Sequence, residues 1–255
     1  MAFTIKQKVS LIGCIVLIFS ACYTHAQVKK IAPVKKIVPS KTKIPTKPKV
    51  ANTALLKVID NAIKVKITTD SGIIIVKLYD STPLHRDNFV KLVKEGFYDS
   101  LLFHRVINAF MIQGGDPQSK NAPPNVMLGG GGGDMQRIPA EFKSSLIHKK
   151  GALCAARDGN AEKASSACQF YIVQGKPYTD DELNSIQANK GLQYSPLQRL
   201  TYKTIGGVPF LDNDYTVFGE VISGLRVVDK IARVQKDQAD RPIGNIKMKM
   251  EIINK

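Results

Sequence analysis

Apolar and polar residues alternate along IKVKITT (Ile63–Thr69), the pattern of a strand with one buried face. Asp70-Ser71-Gly72 supplies a turn, and IIIVKLY (Ile73–Tyr79) continues as a second strand. LLF (Leu101–Phe103) and AFMI (Ala109–Ile112) are further short apolar runs. GALCAA (Gly151–Ala156), CQFYIV (Cys168–Val173) and YTVFGEVI (Tyr215–Ile222) read as strands, and IKMKMEII (Ile246–Ile253) alternates again. Helical spacing occurs in two well-separated places. Thr82-Pro83 opens the first helix, Phe89, Leu92 and Val93 share its face, and Gly96 ends it. Ser223 is placed as the cap of the second, with Leu225, Val228, Ile231 and Ala232 on one face. Strands dominate, so the pattern predicts a mainly β fold: an antiparallel barrel closed at each end by a helix.

One segment exceeds a minimal barrel. Gly175–Gly207 reads as an inserted helical pair. Thr179 and Glu182 make a capping-box pattern, Gly191 stops the first helix, Ser195-Pro196 starts the second and Gly206 ends it. Loop-closure cost rises slowly with length, so a fold tolerates such an insertion. Decoration of the domain is its default role.

Charge changes the picture at the N-terminus. The net charge is +16, but 11 of the 37 basic residues precede Asp60 and no acidic residue does. The remainder carries 26 basic against 21 acidic residues, or +5. The basicity therefore belongs to a tail rather than to a nucleic-acid-binding face, and no DNA-reading motif accompanies it. Residues 1–26 read as an export signal: Lys6 and Lys8 precede the apolar core Val9–Ala21. Two exits compete. Thr24-His25-Ala26 fits cleavage before Gln27, and Phe19-Ser20-Ala21-Cys22 resembles a bacterial lipobox that would place a lipid on Cys22. An uncleaved N-terminal anchor is the plainer alternative, and all three readings put the domain outside the cytoplasm, in the periplasm, soluble or lipid-anchored to the envelope.

Residues 27–59 form a Lys/Pro-rich tether with the loose repeat VKKIAP, VKKIVP, SKTKIP. Proline blocks helix and sheet, and at roughly 3 Å per residue the tether reaches on the order of 60–70 Å. Its charge is compatible with a hold on an anionic membrane or wall surface. The folded domain is placed at 60–255. Within it Cys154 and Cys168 are either a disulfide pair or two buried thiols. The four histidines are scattered without metal-ligand spacing. The run Gly129–Gly133 lacks the Gly-Lys-Ser/Thr that follows in a phosphate loop.

FHRV (Phe103–Val106), FMIQGGD (Phe110–Asp116), CQFYI (Cys168–Ile172) and FLDNDYTVFG (Phe210–Gly219), in this order, resemble the cyclophilin-type peptidyl-prolyl cis–trans isomerases. IPAEF (Ile138–Phe142) and GALCAARDGN (Gly151–Asn160) resemble the bacterial branch. The resemblance covers about Ile63–Ile253 and implies an eight-stranded antiparallel barrel capped by two helices, here with the inserted pair at about 175–207. It also implies an activity: acceleration of rotation about Xaa-Pro bonds. That barrier is roughly 18–20 kcal/mol because twisting breaks amide resonance. No bond is made or cut, so the reaction asks for no nucleophile, cofactor or metal.

By matching positions, the resemblance makes Arg105 the donor to the prolyl nitrogen of the twisted amide and Gln113 its orienting partner and a contact to the substrate carbonyl. Phe110, Met111, Tyr171 and Leu211 line the proline pocket. Ala156 and Arg157 hold the substrate through main chain, Gln169 lies on the neighbouring wall, and Phe210 and Tyr215 complete the rim. His104 is structural. Three departures stand out. Tyr171 replaces the usual Phe and brings a hydroxyl that needs a partner or water. Tyr215 stands where many relatives have His. Phe210 replaces the Trp that favours cyclosporin, which implies weak sensitivity to that drug. The expected partners are proline-containing polypeptides, met by a monomer. Two rivals stay open: a non-catalytic proline-peptide binder or holdase, which Tyr171 keeps alive, and an envelope scaffold using the tether and inserted helices.

Overall fold

A computed structural model describes residues 62–253, so the export signal and the tether lie outside the described residues. Its strands are β1 (Lys64–Thr69), β2 (Gly72–Leu78), β3 (Phe103–Ile107), β4 (Met111–Gly114), β5 (Ala152–Ala155), β6 (Phe170–Val173), β7 (Val217–Ser223) and β8 (Met248–Ile253). They form one antiparallel sheet of eight strands in the order β3-β4-β6-β5-β7-β2-β1-β8. The edge strands meet where the chain enters them. Ser100 N–H donates to Met248 O, Met248 N–H to Leu101 O and Phe103 N–H to Ile246 O, each at 2.9 Å. The barrel expected from the periodicity is present.

Alternation decides which side chains fill it. Val65 and Ile67 of β1 and Ile74 and Val76 of β2 are fully buried. Their intervening neighbours point outward, as a period of two requires. Helix α1 (Pro83–Lys94) buries Phe89, Leu92 and Val93 in the same core, and α4 (Leu225–Ala232) adds Val228, Ile231 and Ala232.

Two helix caps differ from expectation. Thr82 occupies the N-cap of α1 but makes no side-chain cap. The Glu141 carboxylate does this instead, accepting from Leu84 N–H at 3.2 Å and His85 N–H at 3.0 Å. A carboxylate is the better group at a helix N-terminus because it also meets the dipole. Ser223 does not cap α4; it ends β7, and Gly224 is the N-cap with φ +94°. A Cβ on Gly224 would stand 2.4 Å from Ile73 O, so the chain passes β2 too closely for any side chain.

The inserted pair is α2 (Asp180–Lys190) and α3 (Pro196–Thr204). Thr179 and Glu182 form the expected reciprocal box, and Gly191 closes α2 in the left-handed region at φ +64°. A second box, Ser195 with Gln198, opens α3. Tyr178, Leu183 and Tyr202 are buried together, with Ile186 and Tyr194 of the insertion and Ile147 of the segment before β5 packed against them. The insertion thus has a small core that it shares with Ile147. Cys154 and Cys168 are free and buried, which leaves two thiols rather than a bridge.

Candidate active site

The β3–β4 pairing sets Arg105 opposite Gln113. Arg105 Nη1 donates to Gln113 Oε1 at 3.3 Å, and Gln113 Nε2 donates to Gln169 Oε1 at 3.1 Å. Gln169 in turn donates to the carbonyls of Gly129 and Gly131, both at 2.9 Å. The glycine run is therefore an anchor for this chain of amides. Its composition has a packing cause: Gly132 has φ +82°, and a Cβ there would lie 2.3 Å from Cys168 Sγ. Arg105 is 42% exposed in its side chain, and its nearest recorded carboxylate oxygen, on Asp240, is 3.9 Å from Nε. The guanidinium is oriented by one amide and keeps donors for a ligand.

Arg105, Phe110, Met111, Gln113, Ala156, Arg157, Tyr171, Leu211 and Tyr215 line one hollow of about 150 Å³. This joins nine of the eleven residues singled out in the sequence. Phe210 stands at the rim, 43% exposed, its ring stacked on Phe110 at 5.7 Å between centroids. Gln169 lines the adjoining hollow of about 220 Å³, with Gln113, Ala156 and the glycine run. A third hollow, of about 360 Å³, opens on the other side of Arg105 beside His104 and Arg241. Gln113 borders all three. Their succession suits an extended chain better than a compact small molecule.

The main chain refines one expectation. Ala156 uses its N–H on Gln169 O at 2.9 Å, and its carbonyl accepts from Ser166 N–H at 2.8 Å. Among the described residues no partner is recorded for the N–H and C=O of Arg157, so the free peptide edge belongs to Arg157. Its side chain is committed elsewhere. The guanidinium lies 4.7 Å above the Tyr215 ring, and Nε donates to Asp214 O at 2.8 Å. Arg157 thereby stiffens the wall that Tyr215 forms.

Tyr171 is buried, and its hydroxyl leaves the pocket. Oη sits 3.0 Å from His148 Nε2, and the His148 ring stacks on Tyr171 with 6.1 Å between centroids. The pocket therefore presents the tyrosine's ring, much as a phenylalanine would. His104 is 3% exposed, and among the described residues neither ring nitrogen has a hydrogen-bond partner. Burial lowers its pKa to about 4, so it is a neutral packing residue at physiological pH.

A serine, histidine and carboxylate do converge elsewhere. His85 Nε2 is 2.9 Å from Ser165 Oγ, and Nδ1 is 2.6 Å from Glu141 Oε2. Ser165 is 1% exposed and the cavity beside His85 measures about 10 Å³. No acyl substrate reaches it, and Glu141 is the cap of α1. Pattern reading missed His148, Asp212 and Glu141 because their partners lie far apart in sequence. The one local signal was Asp212, an acid directly after the pocket residue Leu211.

Residues 64–252 match the model of the family described as cyclophilin type peptidyl-prolyl cis-trans isomerase/CLD. A putative peptidyl-prolyl cis-trans isomerase of Staphylococcus haemolyticus is 36% identical over 188 residues, covering 73% of this chain and 89% of the relative. One from Staphylococcus aureus is 36% identical over 185 residues, covering 72% and 88%. The crystal structure of a Cryptosporidium parvum cyclophilin type peptidyl-prolyl cis-trans isomerase superposes with TM-score 0.55 at 24% identity, covering 76% of this chain and 99% of that one. A second structure of it, in the presence of the dipeptide Ala-Pro, gives 0.53 at 23%, with 75% and 99% covered. With family model and relatives in agreement over the whole barrel, the chain belongs to the cyclophilin-type peptidyl-prolyl cis–trans isomerases, and its reaction is rotation about the Xaa-Pro bond.

Proposed function

We propose that Arg105 drives the rotation by binding the half-turned amide more tightly than either planar form. A planar prolyl nitrogen has its lone pair delocalised and accepts no hydrogen bond. Twisting returns the lone pair, and a donor placed there stabilises that state alone. A guanidinium stays charged at any working pH, so it is a constant donor. The supporting observation is its setting: Nη1 rests on Gln113 at 3.3 Å beside Phe110, Met111 and Leu211, with the Asp240 carboxylate held off at 3.9 Å from Nε. The prolyl ring occupies the apolar floor, and the free peptide edge at Arg157 holds the residue before it. A charge-assisted bond contributes about 1.5–3 kcal/mol, roughly ten- to a hundredfold in rate. A protease-coupled isomerisation assay on Arg105→Ala tests this; turnover at the native level would reject the mechanism.

The clients in this reading are exported polypeptides whose folding waits on slow prolyl steps. Support comes from the basic start, apolar core and two exits at Cys22 and Ala26, followed by the Lys/Pro tether. No helix among the described residues is long and apolar enough to cross a membrane. Mass spectrometry of the mature N-terminus is the test. A chain beginning at Gln27 or at lipidated Cys22 supports export, and one retaining residues 1–26 in the cytoplasm overturns it. The departure at Tyr171 gives no ground for a non-catalytic binder, since its hydroxyl bonds to His148 outside the pocket.

A further inference from the structure

We infer that the inserted helical pair sets the shape of the proline groove through a buried relay, with Asp212 and Tyr171 as positioning residues. The inference rests on the placement of the prolyl ring proposed above.

The relay is continuous. Tyr202 Oη donates to Asp212 Oδ2 at 2.5 Å, and Tyr194 Oη shares one proton between Asp212 Oδ2 at 2.9 Å and Pro209 O at 3.0 Å. Asp212 Oδ1 accepts from His148 N–H at 2.9 Å and lies 2.7 Å from His148 Nδ1. The carboxylate accepts from three fixed donors, and the hydrogen-bond pattern that completes the set puts the imidazole hydrogen on Nδ1, facing Oδ1. Nε2 then offers a lone pair, and the Tyr171 hydroxyl donates to it at 3.0 Å. Burial raises the Tyr171 and Tyr202 hydroxyls well above the ordinary phenol range, so both remain donors. Tyr202, His148, Asp212 and Tyr171 are all at least nine-tenths buried.

Both ends of this relay have a clear address. Tyr194 lies between α2 and α3, and Tyr202 on α3, inside that small core. Tyr171 is the groove floor, and Asp212 follows the groove residue Leu211 in sequence. A second tie runs alongside: Lys190, at the end of α2, donates to Phe210 O at 2.7 Å and pairs with Asp214. The segment bearing Phe210, Leu211 and Tyr215 is thus moored to the insertion at Pro209, Phe210, Asp212 and Asp214. A hydroxyl in an apolar floor is costly unless bonded, and a fully satisfied buried network fixes one geometry. The insertion is therefore a brace for the groove rather than a decoration.

A double-mutant cycle on the full chain tests this, with kcat/KM on an Xaa-Pro peptide and the thermal midpoint measured for Tyr202→Phe, Tyr171→Phe and the pair. Tyr202→Phe is expected to lower kcat/KM about three- to tenfold in the native background and less than twofold beside Tyr171→Phe, while lowering the midpoint in both. Equal losses in the two backgrounds, or none in either, would reduce the insertion to a structural appendage. Should Tyr202→Phe fail to fold, Tyr194→Phe removes a donor from the same oxygen at a less buried position and enters the same cycle. Arg105→Ala run in parallel separates the two ideas: native turnover there overturns the groove placement and the relay together. Lost turnover with an additive cycle overturns the relay alone.

Discussion

Arg105 and Gln113 face each other across β3 and β4, and the guanidinium Nη1 donates to the amide Oε1 at 3.3 Å. Asp240 waits on the other side, 3.9 Å from Nε. In Gln113→Leu the amide acceptor is gone and the carboxylate draws the guanidinium off the groove. The expected loss in kcat/KM is about tenfold, the scale of one hydrogen bond. Asp240→Ala in the same background recovers part of it. No recovery would show that Gln113 acts on the substrate alone.

Acid weakens the fold before its carboxylates titrate. Burial lowers His104 to about 4, and burial lowers His85 also, against the pull of Glu141. An unfolded histidine takes up its proton near pH 6.5. Below that the unfolded chain holds more protons, so this stability is complete above pH 6.5 and is lost as pH falls toward 4. His104 alone accounts for about 2 kcal/mol between pH 7 and pH 5. Urea unfolding of His104→Leu at the two pH values checks this. A slope as steep as the native protein's would place the loss elsewhere.

The glycine run holds positions that tolerate a methyl and positions that do not, and Gly133 and Gly132 are one of each. Gly132→Ala forces a side chain at φ +82° into Cys168 Sγ. It is expected to cost on the order of 2 kcal/mol and to loosen the Gln169 anchor. At Gly133 a Cβ meets nothing within 4 Å, so Gly133→Ala is expected to be close to neutral. Thermal midpoints of the two variants decide it; similar losses would mean that the run is constrained by its backbone alone.

Phe210 is a half-open rim residue stacked on Phe110. Standing where Trp favours cyclosporin, it implies weak inhibition, and Phe210→Trp is expected to tighten it. A titration of turnover with the drug gives the answer, and nanomolar inhibition of the native chain would contradict the reading.

Strand periodicity carried most of this fold. Val65, Ile67, Ile74 and Val76 alternate in sequence and are fully buried in the barrel. The groove was legible because its residues travel in short runs, FHRV and FMIQ, whose spacing the β3–β4 register converts into proximity. What escaped notice was tertiary. Glu141 caps a helix that begins near residue 82, and Ser223 lost its capping role because β7 runs one residue further than the turn chemistry suggested. His148, Asp212, Tyr194 and Tyr202 form one network from three separate segments, and no local pattern joins them. Ala156 also carried a substrate role that its own hydrogen bonds exclude for its N–H.

On the proposed mechanism Arg105 acts on the twisted amide and hardly on the bound planar one. Exchange spectroscopy on an Xaa-Pro peptide, with binding measured on the same samples, separates the two for Arg105→Ala. On-enzyme rotation is expected to slow by about ten- to a hundredfold while the peptide Kd changes by less than about threefold. Rotation at the native rate, or a Kd that weakens as much as rotation slows, would contradict it.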